Sequence, residues 1–153
     1  EFVQAAAWLL PNKTLMEIGG FDPIFFHYGE DNNYCQRVLY HNKKIGVVPN
    51  SFIRHDSEKE PRQIDKSFSD KDLVKYILPF LVEFGDINKP FTKKEIQRER
   101  KNIYKSILMN LLRLNLHTTI GLFKKLKLFN SNIIKIYASR LINKHISSNY
   151  LNV

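Results

Sequence analysis

The sequence predicts an α/β domain in residues 1–60, followed by a mostly α-helical extension in residues 61–153. Short apolar runs typical of buried strands alternate with helical spacing in the first part, whereas helical spacing dominates the second. The charge divides at nearly the same place. Residues 1–63 hold 7 Lys or Arg against 8 Asp or Glu, and residues 64–153 hold 17 against 7. The basic character therefore belongs to the second part.

The composition indicates a packed protein that does not cross a membrane. With 153 residues and 43% hydrophobic content, the chain is long enough for one domain with its own core. Its apolar runs all fall short of the roughly 18 residues that a membrane span requires. The opening residues carry no basic leader, and Cys35 is the only cysteine. We therefore expect no signal peptide, no internal disulfide and a cytoplasmic location.

The first part reads as strand, helix, loop, helix and strand. Residues 2–10 resemble a buried strand that ends at Pro11. Residues 12–18 predict a short helix stopped by Gly19 and Gly20, and residues 31–42 predict a second helix. Residues 44–55 contain two strand-like runs around a Pro-Asn turn.

The second part predicts four helices after a polar linker. Ser69 with Asp72 forms a capping-box pattern ahead of a helix that contains Pro79 and ends at Gly85. Thr92 and Glu95 repeat the pattern ahead of a long helix. Two further helices are predicted at residues 118–129 and 131–147.

Two adjacent carboxylates, Glu30 and Asp31, stand at the start of the second predicted helix, behind a group of aromatic residues. The free N–H groups and the positive end of the helix dipole favour an ionised carboxylate there. Such a group suits a general base that removes a proton from a hydroxyl. The alternative is that both residues simply cap the helix.

The order of motifs resembles the second half of the catalytic domain of family 2 glycosyltransferases, particularly the bacterial rhamnosyltransferase-like and capsule or O-antigen branch. It comprises a Gly-Gly-Phe-Asp turn at residues 19–22, aromatics at 25–26, the Glu30-Asp31 pair, Arg37 and a terminal His55. The match covers about residues 3–56. It implies the acceptor-side half of a GT-A (nucleotide-diphospho-sugar transferase) fold. It also implies an inverting transfer in surface polysaccharide or glycoconjugate synthesis.

The resemblance assigns a role to each candidate residue. Asp31 is the expected catalytic base, and Glu30 is expected to contact the acceptor or to orient the loop. Trp8 and Phe26 are candidate acceptor-binding residues that stack on a sugar face, although such aromatic residues more often belong to the core. Arg37 is expected to form a structural ion pair or to contact donor phosphate. The family commonly has a second Asp two residues after the base, where this chain has Asn33.

His55 is in the place where some members supply a metal ligand, which implies a divalent cation, Mn²⁺ or Mg²⁺. A structural, hydrogen-bonded role explains a lone histidine equally well. The family's metal-binding Asp-x-Asp motif lies before the Glu-Asp pair, so residues 70–72, which also spell it, are interpreted as a helix cap. The nucleotide-binding half that precedes this region in the family is not in the sequence. We therefore expect this chain to be a piece of a longer enzyme, and inactive by itself.

The expected partners are a nucleotide-diphospho-sugar donor and a saccharide or lipid-linked acceptor. The basic tail, residues 93–148, interleaves Lys and Arg with long aliphatic residues, which is typical of a helix on an anionic membrane surface. Such a tail would place the enzyme peripherally at the inner face of the membrane. The apolar stripe equally suits packing on the first part or on a second subunit, as in a homo-oligomer. The alternative function is a non-enzymatic basic helical module that binds membrane or nucleic acid, although no nucleic acid is expected without a recognition motif.

Overall fold

The computed structural model describes residues 3, 7–25, 28–52 and 70–151, and its ordered elements there are five α-helices. They are α1 (Asn12–Ile18), α2 (Glu30–Tyr40), α3 (Asp70–Gly85), α4 (Lys93–Leu112) and α5 (Leu116–Asn143). No β-strand occurs in these ranges. The predicted α/β class, and with it the acceptor-side half of a GT-A fold, is therefore wrong.

The reason lies in the two segments that were predicted as strands. Residues 8–11 and 43–48 lie outside any helix and form no strand ladder in the described part. A β-strand needs a hydrogen-bonded neighbour, and apolar residues fit equally well on an extended segment that packs against helices. Trp8, Leu10 and Ile45 do the latter and form a small core with Ile18 of α1 and with α2.

The two short helices begin and end close to where the sequence predicts. Gly19 ends α1 with a φ of 84° and donates its N–H to the Leu15 carbonyl at 2.8 Å. Gly29 precedes α2 with a φ of 87°. Glycine adopts such positive φ values at little cost, so these residues fix the ends of both helices.

The predicted capping box at the start of α4 is confirmed. Thr92 Oγ1 accepts from the Glu95 N–H, and Glu95 Oε2 accepts from the Thr92 N–H. The predicted break near residue 130 is wrong, because α5 runs unbroken from Leu116 to Asn143. Ser131 and Asn132 both donate to the Leu128 carbonyl, so polar residues that suggested a loop are accommodated on the helix.

The main core lies among α3, α4 and α5. A three-residue connection joins α4 to α5 and makes them antiparallel neighbours. The buried side chains of this core are Phe25, Ile77, Phe80, Leu81, Ile96, Ile103, Ile107, Leu126, Phe129 and Ile136. Phe25 comes from the first predicted part, so the two parts pack together. Within the described ranges, each helix is too short or too polar to span a bilayer.

Candidate functional site at the start of α2

Asp31 is the second residue of α2, and its side chain is partly exposed. Its Oδ1 accepts a hydrogen bond from the Asn32 N–H at 2.7 Å. The turn before it contains Tyr28 and Gly29, both with positive φ. A Cβ on Gly29 would lie 2.8 Å from Leu78 Cδ1 and 2.9 Å from a Val82 methyl, so α3 packs directly against this turn. Packing therefore fixes the position from which Asp31 projects.

The neighbours of Asp31 in the first turn of α2 carry polar atoms without partners. Asn33 is fully buried, and neither its Oδ1 nor its Nδ2 has a hydrogen-bond partner. Glu30 is partly buried, and its Oε2 also has none. Unpaired buried polar atoms cost about 1–3 kcal/mol each, so this turn is less stable than a fully bonded one. Asn33 faces the protein interior beside Phe25 and Gly85.

Arg37 lies in the interior, two turns further along α2. Its guanidinium donates to the Gly20 carbonyl at 2.6 Å and to the Ile18 carbonyl. The rings of Tyr34 and Tyr150 lie 5.4 and 5.3 Å from its guanidinium carbon, within cation–π range. Burial lowers the pKa of Arg37, while Tyr150 and Asp22 oppose that shift. Arg37 therefore ties the Gly-Gly turn to α2.

Asp22 is the buried anion on the other side of this turn, and sequence reasoning treated it only as a turn residue. Its Oδ1 accepts from the Ile24 N–H at 3.1 Å. Its Oδ2 accepts from Ser139 Oγ at 2.6 Å, from Asn143 Nδ2 at 2.7 Å and from the Tyr150 hydroxyl at 3.4 Å. Burial, followed by the nearby Asp22 charge, raises the pKa of Tyr150. The four-residue spacing of Ser139 and Asn143 on one face of a helix was the available signal.

Trp8 belongs to an aromatic cluster against α2. Its ring centroid lies 5.7 Å from that of Tyr34 and 6.1 Å from that of Phe21. Trp8 also lines a cavity of about 830 Å³ between residues 7–11, α2 and residues 43–52. Tyr34 packs against both Trp8 and Arg37. Glu30 and Asp31 lie at the start of α2, outside the lining of the cavity.

Two predicted site residues, Phe26 and His55, lie outside the described residues. Within the described ranges, His, Cys, Asp and Glu side chains form no group of three or more that could hold a metal ion. The described residues thus supply no ligand set for the predicted Mn²⁺ or Mg²⁺.

No family model, curated protein or solved structure matches the chain. A partly exposed carboxylate on a helix N-terminus can accept a proton or a hydrogen bond from a hydroxyl group. The Arg37 contacts with the Ile18 and Gly20 carbonyls hold the helix that carries it.

Proposed function

We propose that this chain carries the base-bearing segment of an inverting glycosyltransferase, with Asp31 as the general base. The observation that carries the proposal is the placement of Asp31. Its carboxylate projects, partly exposed, from a helix start that α3 packs against and that buried contacts of Arg37 tie to the Gly-Gly turn. The ordered motifs in residues 19–37 support the same reaction class.

The chemistry needs a carboxylate that is ionised and held in position. In the proposed step Asp31 takes the proton of an acceptor hydroxyl while the hydroxyl oxygen forms a bond to the anomeric carbon of the donor sugar. The bond from that carbon to the diphosphate breaks, and the diphosphate leaves with the electron pair. A base positioned within hydrogen-bond reach accelerates such a step about 10²–10⁴-fold.

The proposed substrates are a nucleotide-diphospho-sugar and the hydroxyl of a saccharide or lipid-linked acceptor. Glu30, next to the base, is the proposed acceptor contact. Trp8 borders a cavity whose lining does not include Asp31, so the proposal gives its ring no contact with the reacting hydroxyl. The proposal assigns no step to a metal ion, and the predicted ligand His55 lies outside the described residues.

The test is Asp31→Asn, measured in the protein expressed from its complete coding sequence with a panel of nucleotide sugars. Asparagine keeps an acceptor oxygen for the Asn32 N–H but cannot accept the proton. We expect kcat to fall at least about a hundredfold, with little change in donor KM or in the melting temperature.

Glu95→Gln is the matched control, because Glu95 is also an acidic residue in the first turn of a helix. We expect this variant to lose some stability and to keep its transfer activity. Full activity in Asp31→Asn would mean that Asp31 only stabilises the first turn of α2, and the proposal would then be wrong.

A further inference from the structure

The hairpin formed by α4 and α5 has an exposed apolar end, which we call the tip and define as residues 108–123. Eight large apolar side chains in this tip are between 42% and 84% exposed. They are Leu108, Met109, Leu111, Leu112, Leu114, Leu116, Ile120 and Phe123. So many exposed large apolar side chains close together in the sequence of a folded chain mark an interaction site more often than chance exposure.

The tip extends beyond the helical core. Ile107 is the last buried residue of α4, and Thr119 is the first buried residue of α5. Leu112 ends α4 five positions after Ile107, and Leu116 begins α5 three positions before Thr119. At 1.5 Å per residue, the exposed end of the hairpin projects by about 5–8 Å. Amphipathic elements enter the headgroup and acyl boundary of a bilayer to about 5–10 Å, which this projection can reach.

The backbone of the tip satisfies its own hydrogen bonds, as an element entering a lipid interface requires. The Leu114 N–H donates to the Leu111 carbonyl at 3.0 Å, and the Asn115 N–H donates to the Asn110 carbonyl at 2.9 Å. This is the Schellman pattern, in which the residue with positive φ is usually glycine. Here that residue is Leu114, with a φ of 55° and 84% exposure. Leucine is strained at such a position where glycine is not, and stability of the isolated chain does not explain its presence.

The charge around the tip has one sign. From Arg100 to the end of the chain there are ten Lys or Arg residues and no Asp or Glu. Lys105 and Lys124 are exposed and each stand eight residues, about 12 Å, from Arg113 and Leu116 at the end of the hairpin. They therefore lie at a similar height on the antiparallel pair. Cations at that height would meet lipid phosphates when the leucines enter the interface.

We propose that the tip is a docking surface for an anionic lipid bilayer, in which the leucines enter the interface and the lysines contact the headgroups. A second copy of the chain is a poorer occupant, because two tips would bring their cations together without an acidic residue from either copy's residues 100–153. Nucleic acid would not account for the exposed leucines. This inference is independent of the role proposed for Asp31.

The test is sedimentation of the 153-residue chain with vesicles of phosphatidylcholine, with and without phosphatidylglycerol. We expect binding that requires phosphatidylglycerol and weakens as salt is added. The tip variant is Leu112→Ser with Leu114→Gly. It should bind at least about tenfold more weakly, because two leucine side chains no longer leave water. Its melting temperature should not fall, because glycine relieves the positive φ.

Two further variants separate the apolar and charged contributions. Lys105→Gln with Lys124→Gln should weaken binding about 25-fold, since each cation near an anionic surface contributes about fivefold. Ile134→Ser with Leu141→Ser is the matched control, because these α5 residues are 75% and 66% exposed but lie outside the tip. It should bind within about twofold of the unmodified chain.

Several results would overturn the proposal. One is vesicle binding that does not depend on phosphatidylglycerol. Another is a tip variant that binds vesicles as well as the unmodified chain does. The third is a loss of vesicle binding in the Ile134→Ser, Leu141→Ser control that equals the loss in the tip variant. A chain that is dimeric without vesicles and becomes monomeric in the tip variant would show instead that a second copy covers the tip.

Discussion

Asp22 links three segments of the chain through one buried carboxylate. It accepts hydrogen bonds from its own turn, from Ser139 and Asn143 on α5, and from Tyr150. Asp22→Ala would leave those buried donors without an acceptor, so we expect a loss of about 3 kcal/mol in the free energy of unfolding. Urea denaturation followed by circular dichroism measures it. Asp31→Ala, at a partly exposed position, should cost about 1 kcal/mol. Equal losses in the two variants would contradict the central role of Asp22.

Asp22 and Asp31 differ in how much of their surroundings the sequence predicts. The position of Asp31 was predictable because helix starts have local signals, namely a preceding turn and acidic residues in the first turn. The side-chain donors to Asp22 lie more than a hundred residues away along the chain. The spacing of Ser139 and Asn143 marks a polar face on α5, but nothing local in the sequence pairs that face with Asp22. The same holds for Arg37, whose proximity to Tyr150 depends on where the C-terminal residues dock.

At the scale of elements, the turn after α1 is a docking surface for residues 147–151. Gly20 donates its N–H to the Asn149 carbonyl at 2.8 Å, and the Ser147 N–H donates to the Glu17 carbonyl at 2.9 Å. A Cβ on Gly20 would lie 2.6 Å from the Tyr150 carbonyl oxygen, which is closer than real contacts allow. The paired glycines thus admit the backbone of another segment.

Gly20→Ala should therefore displace the C-terminal segment and lower the free energy of unfolding by about 1–3 kcal/mol. Gly46→Ala is the control, since a Cβ there would meet nothing within 4 Å and its φ is not positive. We expect Gly46→Ala to leave stability unchanged or slightly raised. Protease sensitivity of the C-terminus should increase in Gly20→Ala alone. A Gly20→Ala variant as stable and as protease-resistant as the unmodified chain would show that this close approach does not occur.

The elements also differ in how well the sequence predicts them. The start of α4 was predictable because its capping box is local and both of its hydrogen bonds form. The single long α5 was not, since Asn130, Ser131 and Asn132 resemble a loop in sequence although two of them bond back to the helix. The two predicted strands failed for another reason. Whether an extended apolar segment becomes a strand depends on a neighbour, and a local pattern does not contain that information.

At the scale of the whole molecule, the two predicted parts differ in charge and pack together. The basic residues do concentrate in the second part. The first part, however, shares Phe25 with the helical core and binds α5 through Asp22. A β-sheet with its own core would not need these contacts with the helices for its stability. The observed helices of the first part are short and obtain part of their burial from α3 and α5.

This shared packing predicts how the molecule responds to alkaline pH. Burial raises the pKa of three tyrosines, Tyr34, Tyr150 and Tyr76, the last to about 12. Since their pKa in the folded state exceeds the unfolded value of about 10, the unfolded chain releases these protons first as pH rises. Their contribution to stability is complete below about pH 10 and is lost progressively above it. Burial lowers the pKa of Lys125, Arg37 and Arg140, which acts in the opposite direction. The ordinary pKa of arginine is about 12.5 or higher, so Lys125 is the group among these that opposes the tyrosines nearest pH 10.

We therefore expect the urea midpoint to be constant up to about pH 10 and to fall steadily beyond it, with tyrosinate absorbance appearing together with loss of helix. Tyr150→Phe removes one of the three groups and should make the decline shallower. Tyr104→Phe is the control, because Tyr104 is about half exposed on α4 and its removal should leave the profile unchanged. Tyrosinate absorbance that rises fully while the helices persist would show that these rings ionise without unfolding. The three segments that meet around Tyr150 would then open independently of the helical core.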